Sequence, residues 1–586
     1  MDYRKIAGEK FGLFFNQIRI ILYKIELQYD APHGVPGTAP ENLDLYTRYY
    51  TQRLFMKKCF MAWHSSLVMT GLAFFIAGCG SVHDDSARIF RYRLATDPPT
   101  LDPIHTTDTA SAAIVFRMFE GLVEQDPATL DVVPSLAESW DISPDGLIYT
   151  FHLKKGVTFH NGREVTSEDF RYSFERCLTP ENASERSWVL APIRGAADML
   201  EGITRTLEGI KTPDPSTVII TLEKPFAPFI SYLAMEAARA VARESIEGDR
   251  FVPIGTGPYR FLSWTHDIMV SLEAYEAYYQ GEVSVKRIDY EIIPDVGVAF
   301  QKFVTGELDF VDEIPPGQLK LIRERYPDAV KVWPFLRNEY IGFNHTRPPF
   351  KDNLKLRQAF SWAVDRRRIV EDIYEGAATP ATCILPPGMK ERDDTIEGYG
   401  FDLGKARRLL AEAGYPDGKG LPELSLWYNN NELHQQNVQY IQSTFREIGV
   451  NVRLRSLDWP AYLKACEAHE PDLYRLGWVA DIPDADNFLY ILLHSSQIGA
   501  PGNYSGYSNP EFDRLVNEAR VSTDSEYRKK LYREADRLAT EDACWIQIMY
   551  AWERILINPA YEGLVLPKQG DFRIPIEKLR YRGTGS

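Results

Sequence analysis

Hydrophobic and polar residues alternate along several short stretches in the first half of the chain, and this period of two predicts half-buried strands. The clearest stretches are residues 149–154, 218–223 and 270–274. The dipeptide Asn161-Gly162 follows the first of them, and Asn-Gly is the strongest short-range signal for a tight hairpin. The first half is therefore predicted to contain hairpin-connected strands.

Apolar residues spaced three and four positions apart predict helices, most of them in the second half. The predicted helices span 166–177, 354–374, 402–413 and 435–448, and two more fill 510–540. Asp402 is a typical N-terminal cap, and Gly414 is a typical helix stop. A strand is predicted over 450–454. Because strands and helices alternate throughout, the predicted fold class is α/β.

Composition places the chain among ordinary globular proteins. Its 586 residues are 44% hydrophobic and 25% charged, with 66 Lys and Arg against 82 Asp and Glu and a formal net charge of −16. The acidic balance argues against a nucleic-acid partner, because such proteins carry a basic surface. A single long apolar stretch argues against a polytopic membrane protein.

The apolar stretch resembles an export signal. Met56-Lys57-Lys58 precede an apolar run over 65–78, and Cys79 follows small residues, as in a bacterial lipoprotein box. About 14 apolar residues are too few to span a bilayer comfortably. We expect residues 56–78 to be a lipoprotein signal peptide, Cys79 to be lipidated, and residues 1–55 to be a non-native or disordered extension that precedes the true start.

Catalytic and cofactor motifs are missing from the sequence. It contains no P-loop, no G-x-S-x-G and no H-E-x-x-H, and its 11 His show no metal-ligand spacing. The four later cysteines are Cys177, Cys383, Cys466 and Cys544. Without a C-x-x-C pair they indicate neither a zinc nor a redox site, and an exported protein could pair them in one or two disulfides. We therefore expect no enzyme activity, no cofactor and no metal.

Many short phrases, taken in chain order, resemble the bacterial extracellular solute-binding proteins of family 5. Examples are Phe-His-Asn-Gly at 159–162, Gly-Thr-Gly-Pro-Tyr at 255–259 and Gly-Trp-Val-Ala-Asp at 477–481. Further phrases lie at 96–103, 119–123, 134–140, 149–153, 165–170, 306–309, 342–344, 348–350 and 409–415. The resemblance runs from about residue 88 to about residue 557, and the lipoprotein box agrees with it independently.

The resemblance implies a type II periplasmic-binding-protein fold, with two α/β lobes, a hinge of two crossover strands and a ligand held between the lobes. Lobe I is then expected in 80–119, 243–335 and 552–586. An extra subdomain of lobe I is expected in 120–242, and lobe II in 336–551.

The function implied by the resemblance is the extracytoplasmic peptide-binding component of an ABC importer. Such a protein, expected to be monomeric, captures short peptides and delivers them to membrane permease subunits. It is periplasmic or at the cell surface, held to a bacterial membrane by its lipid. The same fold with another ligand stays open: a murein peptide, a signalling peptide, a nickel chelate or a sugar.

Ligand-binding residues carry over from matching phrases. Asp481 matches the aspartate that binds the peptide ammonium, and its alternative role is helix capping. The stretches 335–344 and 477–480 are expected to offer strand edges to the peptide backbone. They contain Tyr340, Asn344, Gly477, Trp478 and Ala480. Tyr340 and Trp478 could equally be packing residues.

The carboxylate end of the ligand is less well defined by the resemblance. Arg475 stands where some oligopeptide-binding members have an arginine, and His434 resembles a histidine in a matching phrase. His434 could instead be a surface residue at a helix start. Trp459 is expected to line a side-chain pocket, with core packing as its alternative.

Overall fold

The computed structural model describes residues 89–248, 250–499 and 502–582. The extension 1–55, the signal peptide 56–78 and Cys79 lie outside these residues, so their predicted roles stay predictions. Within the described ranges, no helix has the length and apolarity needed to cross a membrane.

The strands, in chain order, are β1 (Ile89–Leu94), β2 (Val123–Gln125), β3 (Val132–Pro134), β4 (Ala137–Ile142), β5 (Ile148–Leu153), β6 (Ile210–Asp214), β7 (Thr217–Thr221), β8 (Ile246–Glu247), β9 (Arg250–Phe251), β10 (Tyr259–Thr265), β11 (Met269–Ala274), β12 (Arg287–Ile292), β13 (Phe310–Val311), β14 (Val330–Pro334), β15 (Arg337–Phe343), β16 (Ala378–Pro380), β17 (Leu424–Asn429), β18 (Val452–Leu457), β19 (Leu473–Val479), β20 (Trp545–Ile557), β21 (Tyr561–Glu562) and β22 (Arg580–Tyr581).

The α-helices are α1 (Thr109–Met118), α2 (Ser167–Leu178), α3 (Ala196–Leu200), α4 (Phe229–Tyr232), α5 (Val296–Thr305), α6 (Leu319–Arg325), α7 (Leu354–Trp362), α8 (Arg366–Arg368), α9 (Leu403–Glu412), α10 (Glu432–Glu447), α11 (Trp459–Glu467), α12 (Asp486–Leu493), α13 (Pro510–Val521) and α14 (Ser525–Glu541).

One long strand, β20, joins the two halves of the main sheet. Twelve strands of the described chain form this sheet, in the order β10-β11-β12-β1-β13-β20-β15-β19-β17-β18, with β14 and β16 also paired to β20. The last part of β20 pairs with β13 and β14, and its first part pairs with β15. Parallel pairs such as β1–β12 and β17–β18 and the helices between them make the fold α/β, as predicted.

A separate sheet, ordered β4-β5-β7-β6, lies in the segment between α1 and β8. Its buried strand residues Phe151, Val218 and Ile220 belong to one apolar core with Phe170 and Phe174 of α2. Helix α2 begins with a capping box in which Thr166 and Asp169 satisfy each other's backbone donors. The structure thus confirms the predicted hairpin strands and the helix that follows them.

One predicted helix is shorter than expected. The stretch 354–374 divides into α7, α8 and a π-helical turn over Ile369–Ile373. The division has a tertiary cause, because the buried Arg366 donates to the carbonyl oxygens of Ser361 and Val364. Those carbonyls are therefore satisfied without a continuous helix.

Candidate ligand-binding cleft

Asp481 lies just after β19, and a neighbouring amide holds its carboxylate. The Asn487 Nδ2 atom donates to Asp481 Oδ2 at 3.2 Å. The Asn487 Oδ1 atom accepts from the Asp481 amide at 3.1 Å and from Trp478 Nε1 at 2.8 Å. Asn487 is fully buried, so it fixes the carboxylate and the Trp478 indole together.

A cavity of about 170 Å³ opens beside Asp481. Its walls come from sequence segments that are far apart: the loop before α1, the segment between α2 and α3, the segment between α4 and β8, the end of β19 and a turn near the C-terminus. The lining residues include Thr106, Asp108, Arg186, Glu236, Ala480 and Arg573. The Arg186 guanidinium donates from Nε to the Thr106 carbonyl at 2.9 Å, and its Nη1 lies 3.5 Å from Asp481 Oδ1.

The two predicted strand edges pair with each other. Strand β15 runs antiparallel to β19, with Glu339 opposite Gly477, and β15 also pairs with β20 on its other side. Strand β19 pairs with β17 only at Leu473 and Tyr474. From Leu476 to Val479, its second edge has no strand partner in the described part of the chain. This edge, rather than 335–344, is open to an extended ligand.

Tyr340 and Asn344 lie in the interior and do not line the cavity. The Tyr340 ring stacks on Trp545 with centroids 3.7 Å apart. The Asn344 amide donates to the carbonyls of His469 and Pro471 at 2.7 and 2.9 Å. Both residues have packing roles, and their predicted ligand contacts stay predictions.

Gly477 allows a close approach between β19 and β15. A Cβ atom at this position would lie 2.7 Å from the Asn338 carbonyl oxygen and 2.8 Å from the Glu339 carboxyl group. Any larger residue would push the two strands apart. The glycine therefore contributes to the shape of the free β19 edge.

The predicted carboxylate end contains a buried charge cluster. Arg475 and Glu339 are 3% and 1% exposed and form an ion pair. Arg337 also donates from Nε to Glu339 at 2.7 Å. Arg475 is therefore already neutralised by a partner from its own chain. Its predicted contact with a ligand stays a prediction.

His434 lies next to this cluster, and its Nδ1 atom donates to Asn429 Oδ1 at 2.8 Å. Burial, with the nearby Arg475 and Arg337 charges, lowers the pKa of His434 to about 2. The imidazole is therefore neutral at physiological pH and offers hydrogen bonds rather than charge. A second cavity of about 230 Å³ is lined by His434, Arg337, Arg554 and Glu553.

Trp459 begins α11 and is 49% exposed. Its ring centroid lies 6.1 Å from that of Tyr462. It lines neither of the two cavities described above. Its predicted role in a side-chain pocket stays a prediction.

Sequence reasoning missed several residues around Asp481. Arg186 and Glu236 belong to two segments that are distant from Asp481 in the sequence, and no local pattern marks them. Asn487 lies six positions after Asp481, and only the fold turns its side chain back. Thr106 lies three residues after the phrase at 96–103, and that phrase is the sequence signal that could have located this wall of the cavity.

The four later cysteines are all buried free thiols, so the disulfides that the sequence allowed are not formed. Among the described residues, no group of three or more His, Cys, Asp or Glu could hold a metal ion.

Comparisons with known proteins agree on one family. The family model described as "Bacterial extracellular solute-binding proteins, family 5 Middle" matches residues 131–500. Heme-binding protein A of Haemophilus influenzae is 33% identical over 475 residues, which cover 77% of this chain and 84% of that protein. The dipeptide-binding protein of Escherichia coli is 28% identical over 509 residues, covering 83% and 93%.

Among solved structures, the periplasmic binding protein DppA from Helicobacter pylori, in complex with the peptide STSA, superimposes with a TM-score of 0.72. It is 27% identical, and the match covers 86% of this chain and 100% of that one.

Proposed function

The chain belongs to the bacterial extracellular solute-binding proteins of family 5, and on that premise we propose that it captures short peptides outside the cytoplasm and delivers them to the permease of an ABC importer. The observation that carries the proposal is the Asp481 carboxylate, held by Asn487 at the wall of a cavity built from distant segments. A dipeptide-binding relative and a peptide-bound structural neighbour support the choice of ligand.

The peptide ammonium is proposed to bind Asp481. The Arg186 guanidinium lies 3.5 Å from the Asp481 carboxylate, which is long for a charge-assisted hydrogen bond. An ammonium could approach within 3 Å and take over the contact. Removing one partner of such a desolvated pair costs about 2–5 kcal/mol.

The peptide backbone is proposed to pair with the free edge of β19. Residues from Leu476 to Val479 lead directly to Asp481, so a ligand anchored there would extend along this edge. Hydrogen bonds to the peptide backbone do not depend on the ligand's side chains, so this mode of binding suits a protein that accepts many peptides.

The division into lobes is also proposed. Lobe I would comprise 80–119, 243–335 and 552–586, the extra subdomain 120–242 and lobe II 336–551. The link between β14 and β15 and the middle of β20 are then the two crossover strands. Ligand that contacts both lobes would stabilise the closed form, which the permease recognises. We propose no covalent chemistry and no cofactor, with ATP hydrolysed by a separate subunit.

The location is proposed to be the periplasm or the cell surface, with the mature chain held to a bacterial membrane as a monomer through lipid on Cys79. One acyl chain anchors weakly and two or more anchor stably. Mass spectrometry of the detergent-extracted protein would identify a lipidated N-terminal cysteine. An unmodified N-terminus upstream of Cys79 would contradict the proposal.

Isothermal titration with short peptides tests the ligand. We expect peptides of two to four residues to bind and their N-acetylated forms to lose affinity, because acetylation removes the ammonium. Asp481→Asn should weaken binding about thirtyfold or more, corresponding to about 2 kcal/mol. Asp141→Asn, on the exposed edge of β4, is the matched control and should change nothing. Equal binding of acetylated and free peptides would refute the role of Asp481.

A second candidate keeps the fold and changes the ligand. Its support is the 33% identity to a heme-binding protein A, and a non-peptide ligand would not depend on a free ammonium.

A further inference from the structure

Two aliphatic residues are packed in apolar cores that otherwise belong to another part of the molecule. Ile482, 1% exposed, lies in the core of the subdomain proposed at 120–242, and the other buried members of that core lie between residues 104 and 242. Leu130, 4% exposed, lies in the core of proposed lobe II, whose other buried members lie between residues 336 and 545. The subdomain and lobe II thus each place one side chain inside the other, and these two residues are called the exchanged pair.

The chain on both sides of Ile482 is fixed to proposed lobe II. Before it, Asp481 accepts from the side-chain amide of Asn487 at 3.2 Å. After it, Asp484 is paired with Arg528 at 2.6 Å. Ile482 is not among the residues that line the cavity beside Asp481. Its side chain therefore contributes to the contact with the subdomain and not to the wall of the cavity.

Leu130 belongs to the turn that joins β2 to β3, and this turn holds it in an uncommon backbone conformation. The Asp126 carboxylate accepts from the amides of Ala128 and Thr129 at 2.9 and 2.8 Å. Leu130 itself has a φ angle of +67°, which is rare and costly for a residue with a Cβ atom. Burial of the Leu130 side chain in proposed lobe II offsets this cost.

Polar contacts between the same two parts of the molecule are weaker. Lys390 pairs with Asp131 at 2.5 Å, but the side chains are 52% and 58% exposed, and exposed ion pairs contribute little. The Ala227 amide donates to the Arg520 carbonyl at 2.9 Å, a bond that water would replace if the two parts separated. Separation costs more at the exchanged pair, because both side chains pass from a core into water.

We propose that Ile482 and Leu130 are positioning residues that hold the subdomain against lobe II in the closed, ligand-bound form. Both side chains are buried when the protein closes and exposed to water when it opens. Because Ile482 directly follows Asp481, the residue that binds the ligand ammonium also places one member of the exchanged pair. The extra subdomain is then part of the closing surface. This inference rests on the proposed peptide-binding function and deepens it.

Binding kinetics test the proposal, with the tightest-binding peptide of two to four residues from the titration described above. A ligand enters the open form and leaves only after the protein reopens. Ile482→Ala should therefore raise the dissociation rate constant about tenfold or more, with less than a threefold change in the association rate constant, in stopped-flow tryptophan fluorescence. Leu130→Ala should do the same, although Leu130 does not line the cavity. The double variant should show the product of the two factors.

The peptide-free protein, prepared by unfolding and refolding, distinguishes closure from ordinary packing. Both side chains are exposed to water in the open form, so Ile482→Ala and Leu130→Ala should keep its urea unfolding midpoint. They should lower only the additional stability that bound peptide gives. Ile203→Ala and Leu321→Ala are the matched controls, because they truncate the same residue types at positions that are 70% and 63% exposed. Both controls should keep the wild-type rate constants.

The outcomes separate this inference from the proposed function. If either truncation keeps the wild-type dissociation rate constant, the inference is overturned while Asp481-dependent peptide binding stands. The same holds if either truncation destabilises the peptide-free chain or prevents it from folding, because the side chain then has an ordinary packing role. If no peptide of two to four residues binds the wild type, the proposed function fails and the inference fails with it.

Discussion

Replacing Glu339 by Gln removes the negative charge that Arg475 and Arg337 share at the start of β15. The change is nearly isosteric, so it tests charge rather than shape. Glu339 and Arg475 are 1% and 3% exposed, and they lie on the paired strands β15 and β19 of the main sheet. Water therefore cannot compensate the guanidinium that is left behind.

The expected loss is large because the remaining charge is buried. Breaking a buried ion pair by removing one partner costs about 3–5 kcal/mol, which is two to nearly four powers of ten in the folding equilibrium constant. Arg337→Gln should cost only about 1 kcal/mol, because this side chain is 34% exposed and Glu339 keeps its pairing with Arg475.

The double variant Glu339→Gln/Arg475→Gln gives the sharpest expectation. It removes both buried charges, so it should be more stable than Glu339→Gln alone. The assay is equilibrium urea unfolding, followed by tryptophan fluorescence and circular dichroism at neutral pH. The reasoning is refuted if Glu339→Gln unfolds within 1 kcal/mol of the wild type, or if adding Arg475→Gln lowers stability further.

Three other predictions concern buried groups. Burial raises the pKa of Glu120 from 4.5 to about 7, although Tyr278, Thr256 and Tyr279 donate to it. Because the unfolded chain then loses its proton at lower pH than the folded one, the free energy of unfolding should fall as pH rises from 4.5 to 7. The Glu120→Gln variant should flatten this fall in thermal unfolding scans. Gly255→Ala places a Cβ 2.0 Å from the Met118 carbonyl oxygen and should cost about 2 kcal/mol in urea unfolding. The four buried thiols, which are Cys177, Cys383, Cys466 and Cys544, should react with a thiol reagent only after unfolding.

Each of these predictions has its own control. An unchanged pH profile in Glu120→Gln would contradict the first. Gly297→Ala, in helix α5, adds a Cβ with only the Asp295 side chain nearby, at 3.1 Å, and should not destabilise; an equal loss in both glycine variants would contradict the second. Fewer than four reactive thiols in the unfolded protein that begins at Gly80 would reveal a disulfide and contradict the third.

The sequence predicts most helices and turns correctly because caps and tight turns depend on residues that are close together in the chain. Asp402 accepts from the Lys405 amide and caps the N-terminus of α9, and the turn at Asn161-Gly162 places Gly162 at φ +85°. The break after α7 could not be predicted, because it depends on Arg366 being buried against the carbonyls of residues 361, 364 and 547.

The site was only partly predictable for the same reason. Asp481 is the last residue of a recognisable phrase, and the structure places it at a cavity wall. The Arg475 guanidinium is neutralised by an ion pair with Glu339, which is 136 positions away in the sequence. Arg186 is 295 positions from Asp481. Contacts between residues so far apart in the sequence are set by tertiary packing, and the pattern of hydrophobic and polar residues does not predict them.

The proposed cargo is a short peptide, and native mass spectrometry of the protein purified without refolding is the most direct test of this ligand. Bound molecules are released by denaturation and identified. We expect a set of co-purified peptides of narrow length, which the Asp481→Asn variant no longer retains. A single non-peptide mass such as a haem, or an empty protein that no peptide mixture stabilises against heat, would contradict it.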